Sequence, residues 1–421
     1  MIESFERPVP SLRDVLRHAF GHNLANGFSA FLFAATGPGA MILAVGAAAG
    51  LPAAHIATWL FAGYALSGVL SIVVCWLYRQ PLTFGYSMPA VVIVGPALTQ
   101  YTMPELVGAY IATGALVLVL ALTGLVRRAT AALPEPIAMA MVAGVFLPFG
   151  LRLVGAFEGT QWIAGAMAGA YLLSSASPAL RNRFPPLLSA LAAGAVAVAA
   201  TGSFAPPADL DFRIATPIAF MPVFSAEALI EFVIPLTVTV IGMHNIQGFA
   251  ILRNAGFRPP EHLGTLLCGG GSVVYGILGC VPTVVTGPAN AILNVSGRKD
   301  WRFVGGIWFG LFFILFGICA PVAVQIGGAL PVALIAGLAG LAMLPVLQSA
   351  FVTAFRGAFT FGALVTFLVT VAGVTIFGIG SAFWGLAIGY AVSRIVERED
   401  FRKARAARVA QAAQADRAAA G

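Results

Sequence analysis

The chain has 421 residues, 59% of them hydrophobic and only 9% charged, with a mean hydropathy of +0.93. So few polar side chains cannot cover a water-soluble globule of that size, so the expected solvent for most of the chain is lipid. The net charge of +7 does not indicate nucleic-acid binding, because 21 of the 23 Lys and Arg residues occupy one alternating set of gaps between apolar segments and only Arg152 and Arg213 occupy the other.

In chain order the basic groups are Arg7/Arg13/Arg17, Arg79, Arg127/Arg128, Arg181/Arg183, Arg253/Arg258, Arg298/Lys299/Arg302, Arg356 and the run from Arg394 to Arg417. They recur after every second apolar segment, as cytoplasmic loops do, which places both termini in the cytoplasm and makes the number of crossings even. The first 20 residues lack an apolar h-region, so no cleaved leader is expected. Segments of about 20 apolar residues fall near 25–49, 54–78, 81–99, 105–126, 135–155, 161–178, 185–202, 226–252, 263–280, 281–297, 303–323, 330–354, 358–377 and 379–396. The expected fold class is therefore an all-α polytopic membrane protein of 14 segments. A cytoplasmic stretch 1–24 precedes a first repeat over 25–202; an outer linker 203–225, with Pro206-Pro207 and Arg213, joins it to a second repeat over 226–396, and a charged tail 397–421 follows.

Two segments do not read as continuous helices. Pro81-Leu82-Thr83-Phe84-Gly85-Tyr86-Ser87-Met88-Pro89 and Val281-Pro282-Thr283-Val284-Val285-Thr286-Gly287-Pro288 place helix breakers and β-branched residues at membrane depth. Each predicts a short extended piece followed by a half-helix opening at Pro89 or Pro288. Lipid cannot satisfy non-helical backbone, so the two pieces must be buried in protein, facing each other or a cavity. They also belong to a repeat. Ala132-Leu133-Pro134 matches Ala329-Leu330-Pro331, Pro89 matches Pro288, and Gly39-Ala40-Met41-Ile42-Leu43 echoes Gly248-Phe249-Ala250-Ile251-Leu252. Seven segments per half is an odd number, so the halves are inverted.

Half-helix N-termini meeting at mid-membrane favour an anion, most simply a carboxylate. Tyr86, Ser87 and Met88 would line one start, and Thr283, Thr286, Gly287 and Asn290 the other. The competing reading is that the prolines and glycines only kink two spans for packing. The eighth segment holds the densest intramembrane polar cluster, Ile241-Gly242-Met243-His244-Asn245-Ile246-Gln247-Gly248. His244 reads either as a proton carrier or as a neutral helix-packing histidine. Asn245 and Gln247 would hydrogen-bond substrate or the broken backbone, and Thr36-Gly37-Pro38-Gly39 would complete the pocket from a second break. Glu231, inside the membrane and four residues after Glu227, is a candidate for proton coupling beside a solvated-face reading. Arg152 and Glu158 are expected to pair locally in an outer loop.

Cys75, Cys268, Cys280 and Cys319 lack metal-ligand spacing, so neither metal nor disulfide is expected. Zincin, nucleophile-elbow and phosphate-loop signatures are missing from the sequence, so neither an enzyme nor a cofactor is indicated and transport would be secondary.

From about Asn26 to Tyr390 the chain resembles the benzoate:proton symporter (BenE) family. The stretches that carry the likeness are Tyr78-Arg79-Gln80-Pro81 with Ser87-Met88-Pro89, Ala131-Ala132-Leu133-Pro134 into Met141-Val142-Ala143-Gly144-Val145, Leu236-Thr237-Val238 with Asn245 and Gly248, and Leu364-Val365-Thr366-Phe367 through Gly380-Ser381-Ala382-Phe383-Trp384-Gly385-Leu386. The resemblance implies the nucleobase, ascorbate and sulfate-type fold: a 7+7 inverted repeat sorted into core and gate domains, with segments 3 and 10 half strand and half helix. It also implies substrate among segments 1, 3, 8 and 10, elevator motion, and frequent homodimers through the gate. The implied activity is proton-coupled uptake of an aromatic carboxylate across a bacterial inner membrane. His244 departs from the smaller polar residue usual in the family. Neither segment 8 nor segment 10 carries the mid-membrane Glu with which nucleobase carriers of this fold hold ring nitrogens, which argues against a nucleobase. Another solute on the same fold, such as sulfate, and a non-transporting sensor or assembly subunit are the alternatives.

Overall fold

Proline opens many of the helices, since its fixed φ suits a first turn whose N–H needs no intrahelical partner. Pro38, Pro89, Pro104, Pro136, Pro288 and Pro321 all occupy such positions. The computed structural model describes residues 3–4, 8–126, 133–177, 180, 186–203, 211–374, 376, 381–404 and 406. Arg127/Arg128, Arg181/Arg183, Pro206-Pro207 and most of the tail lie outside the described residues.

In chain order the first half comprises α1 (Leu12–Arg17), α2 (His22–Thr36), α3 (Pro38–Ala48), α4 (Ala53–Phe61), α5 (Ser67–Tyr78), β1 (Phe84–Tyr86), α6 (Met88–Val94), α7 (Met103–Leu122), α8 (Glu135–Gly155), α9 (Phe157–Ser175) and α10 (Pro186–Ala200). The second comprises α11 (Ala226–Thr237), α12 (Ile246–Asn254), α13 (Glu261–Ile277), β2 (Thr283–Val285), α14 (Gly287–Leu293), α15 (Arg302–Ile318), α16 (Ala320–Ala329), α17 (Val332–Ala354), α18 (Thr360–Ala372) and α19 (Ser381–Val396). Seven helical stretches among the described residues are long and apolar enough to cross a membrane by themselves, including α2–α3, α4–α5 and α11–α12 taken as kinked units.

The helices sort into two packing groups. One joins α2, α5, α7, α11, α13 and α15 around the two strands; the other joins α8, α9, α10, α17, α18 and α19. These correspond to the core and gate domains. The repeat is visible in backbone detail. α8 and α17 both begin after an extended proline, Pro134 (φ −58°, ψ 132°) and Pro331 (φ −56°, ψ 138°). Both carry an interior proline at the same distance beyond it, Pro148 and Pro345.

The two ends of the bundle differ. At the basic end Gln80 Nε2 donates to Arg258 O, the Tyr78 hydroxyl to Glu3 O and Lys299 Nζ to Gly256 O, while the Arg79 guanidinium lies over Trp301. At the opposite end the linker is tied down by backbone bonds from Ala215 N to Ile318 O, Phe220 N to Ile277 O and Val223 N to Pro104 O.

Three features differ from the sequence expectation. The second and eighth segments contain π-helical turns, Ala62–Leu66 and Val238–Asn245, where continuous α-helix was expected. Arg152 and Glu158 do not pair; the Arg152 guanidinium sits 5.7 Å from the Phe149 ring centroid instead. The tail is structural where it begins. Glu397 accepts the Phe361 and Gly362 N–H groups and Asp400 that of Phe359, so their carboxylates cap the free amides that open α18.

Close helix approach in lipid depends on small residues. A Cβ on Gly310 would come within 2.6 Å of Gly68 O, and one on Gly68 within 2.5 Å of Gly310 O. Gly310→Ala is expected to push α5 and α15 apart at a cost of about 1–3 kcal/mol, read as a lower thermal midpoint in detergent. Gly169→Ala, with open space around it, should leave the midpoint unchanged.

Candidate functional site

Strands β1 and β2 pair antiparallel in the register Phe84 with Val285, Gly85 with Val284 and Tyr86 with Thr283. The pair is two-fold symmetric about Gly85 and Val284. Flanking bonds extend it symmetrically, from Ser87 N to Pro282 O at 3.0 Å and from Thr286 N to Thr83 O at 3.0 Å. Each half-helix then starts within two residues of its strand, α6 after Ser87, whose hydroxyl accepts the Ala90 N–H, and α14 after Thr286.

A two-stranded ribbon leaves outward-facing amides, and buried ones need acceptors. The preceding helices supply them. Ser71 Oγ of α5 accepts Phe84 N at 2.9 Å, and Ser272 Oγ of α13 accepts Thr283 N at 3.0 Å. Both serines return their protons to the carbonyl four residues earlier, Ser67 O and Cys268 O. Asn245 Oδ1 accepts Val285 N at 3.1 Å, and Asn290 Oδ1 accepts both Thr83 N at 2.9 Å and the Thr83 hydroxyl at 2.8 Å.

Most of the predicted residues converge here. Thr83 and Thr286 hydroxyls lie 2.6 Å apart beside Asn290, and Ser87 Oγ donates to Thr239 Oγ1. Tyr86 is buried edge-on to Tyr64 with the hydroxyls 3.2 Å apart; a Cβ on Gly63 would come within 2.7 Å of its ring. Met88 and Thr283 are buried beside the strand ends. Gln247 is exposed and packs on Gly287, where a Cβ would meet its Oε1 at 2.8 Å.

Asn245 and Asn290 thus spend their carbonyl oxygens on broken backbone. What they leave is the Asn245 Nδ2, which is buried with no partner among the described residues, as are the Thr237 hydroxyl and both ring nitrogens of His244. His244 is 5% exposed, at the end of the π-helical segment where the helix is widened.

Two predicted residues sit elsewhere. Thr36 gives its hydroxyl to Leu32 O at 2.7 Å and lines a separate apolar cavity of ≈ 380 Å³ with Leu43, Leu191 and Phe316. Glu231, 9% exposed, accepts the Tyr101 hydroxyl at 2.7 Å and lines a cleft near the linker end. Sequence reasoning missed Ser71, Ser272 and the Ser67–Tyr275 hydroxyl pair, 2.7 Å apart. The available signal was a serine in an otherwise apolar helix shortly before each broken segment.

Two inverted halves, core and gate groups, and strand–helix elements crossing at the centre define a membrane transporter. Over residues 20–395 the chain matches the family model BenE, Benzoate membrane transport protein, and it belongs to that family. It is 30% identical to Inner membrane protein YdcO of Escherichia coli over 87% of this chain and 93% of that one. It is 29% identical to the Benzoate membrane transport protein of Acinetobacter baylyi over 86% and 92%. In fold it is similar to the transmembrane domain of the cyanobacterial bicarbonate transporter BicA (TM-score 0.54, 16% identity, 89% of this chain and 97% of that one). It is similar also to the murine Solute Carrier 26 family member A9 anion transporter (TM-score 0.56, 12% identity, 94% and 73%).

Removing either serine acceptor strands a buried amide, a loss of about 1–3 kcal/mol. Ser71→Ala and Ser272→Ala should therefore lower the thermal midpoint by similar amounts. Ser203→Ala, at an exposed position, should not.

Proposed function

We propose that this protein takes up benzoate or a closely related aromatic carboxylate together with a proton across a bacterial inner membrane, with both termini cytoplasmic. The observation that carries the reading is the set of buried polar groups without a partner among the described residues, His244 and the Asn245 amide, next to the paired half-helix starts in a chain of the BenE family. Buried polar atoms without protein partners cost free energy, so a site that keeps them is matched to a guest. The guest's carboxylate accepts from donors at the α6 and α14 starts and from Asn245, and its ring lies against Met88 and the Tyr86 edge. His244 takes a proton as the anion arrives, because an adjacent negative charge favours imidazolium. Glu231 serves the same proton route nearer the linker end.

Release to the other side follows an elevator motion of the core group against the gate group, with a homodimer formed through the gate. A carrier of an inorganic anion is the second reading, favoured by the fold likeness to bicarbonate and anion transporters. A sensor or assembly role is set aside by membership of a transporter family.

Radiolabelled benzoate should accumulate in proteoliposomes in response to an imposed proton gradient, inside alkaline, and unlabelled sulfate or bicarbonate should not compete. Indifference to the gradient removes the coupling; competition by the inorganic anions favours the second reading. His244→Ala should abolish gradient-driven accumulation while benzoate exchange without a gradient survives. Asn245→Ala should weaken both.

A further inference from the structure

Between the core and gate groups, toward the linker end, lies a cleft of ≈ 450 Å³. Its core wall comes from α3, α6, α11 and the turn after α6, and its gate wall from α8, α18 and α19. The lining is mostly apolar, with Ile93, Val145 and Phe149 among it, and among the described residues it holds two charged side chains: Arg152 on the gate wall and Glu231 on the core wall. Arg152 is one of only two basic residues in the sequence gaps on this side. Its guanidinium lies near the Phe149 ring and, among the described residues, has no carboxylate within ion-pair distance.

A planar guanidinium beside an aromatic wall offers what a flat aromatic acid needs, a fork of donors for the carboxylate and an apolar face for the ring. We propose that this cleft is a second substrate site, which receives the aromatic carboxylate on Arg152 before it reaches the half-helix junction. The assignment rests on the substrate class proposed above. Glu231 sets its condition. Its carboxylate accepts from Tyr101, with Glu227 a turn away on its own helix and Glu105 at the start of α7 both acting on that tyrosine. Arg152 lines the same cleft from α8, while Thr370, Val371, Ser381 and Ala382 from α18 and α19 bring no charge, nor do Val45, Val92 and Ile93 from α3 and α6. A second carboxylate entering beside Glu231 favours a proton on one of the two. The cleft thereby takes up one anion with one proton, and its net charge is unchanged.

Benzoate transport by the full-length protein in right-side-out and inverted membrane vesicles tests this. Arg152→Gln should raise KM from the linker side about tenfold, the loss expected for one charge-assisted contact. It should leave KM from the basic side unchanged, and Arg152→Lys should recover most of the affinity. Glu231→Gln should make the linker-side KM independent of pH across the neutral range. An unchanged linker-side KM in Arg152→Gln overturns the proposal, as does an equal rise on both sides, which marks a structural defect. Wild-type vesicles that fail to transport benzoate overturn the substrate reading itself and take the second site with it, a result distinct from an active wild type with an unaffected variant.

Discussion

Everything in this structure is arranged around one constraint: backbone that leaves the helical conformation inside a membrane must find all its hydrogen-bond partners within the protein. Two short extended pieces meet that demand mainly by pairing with each other, in a register centred on Gly85 and Val284. The remaining amides are met by side chains from neighbouring helices, two serines and two asparagines. A pair of half-helices is thereby held head to head at the centre of the core group. Neither could stand there alone, since seven residues are too few to form a stable isolated helix.

The same arrangement explains where polar residues are tolerated. Ser71, Ser272, Asn245 and Asn290 are buried, and each is bonded to a specific amide in or next to a strand. His244 has no such duty, and the π-helical widening that carries it lies directly against β2. The buried polar atoms of the core group thus divide into those bonded to broken backbone and those that, among the described residues, have no protein partner.

Charge follows a second rule. Most of the described basic residues gather at the end where the Arg79 guanidinium lies over Trp301, Lys299 donates to Gly256 O and the Arg258 carbonyl accepts from Gln80, in keeping with the positive-inside pattern. Against that background Arg152 stands out at the opposite end, in a cleft between the two packing groups. A cation costly to place near the membrane and lacking an ion-pair partner among the described residues calls for a functional account more than one in a crowded loop does.

Composition, loop charge and the two proline-bounded segments determined the membrane class, the inverted halves and the strand–helix elements, because lipid leaves a chain so few ways to satisfy its backbone. Short-range pattern also marked Asn245, Asn290, Thr286 and Ser87 as candidates, and all four lie at the strand junction. It could not say what their oxygens bind, since Asn245 and Asn290 reach amides of the broken segments 40 and 207 residues away in sequence. Nor could it separate Thr36, whose hydroxyl turns back on its own helix, from the groups at the junction. The π-helical turns, the carboxylate caps on α18 and the cleft shared by Arg152 and Glu231 were decided by tertiary packing alone, because each depends on residues from separate helices meeting in space.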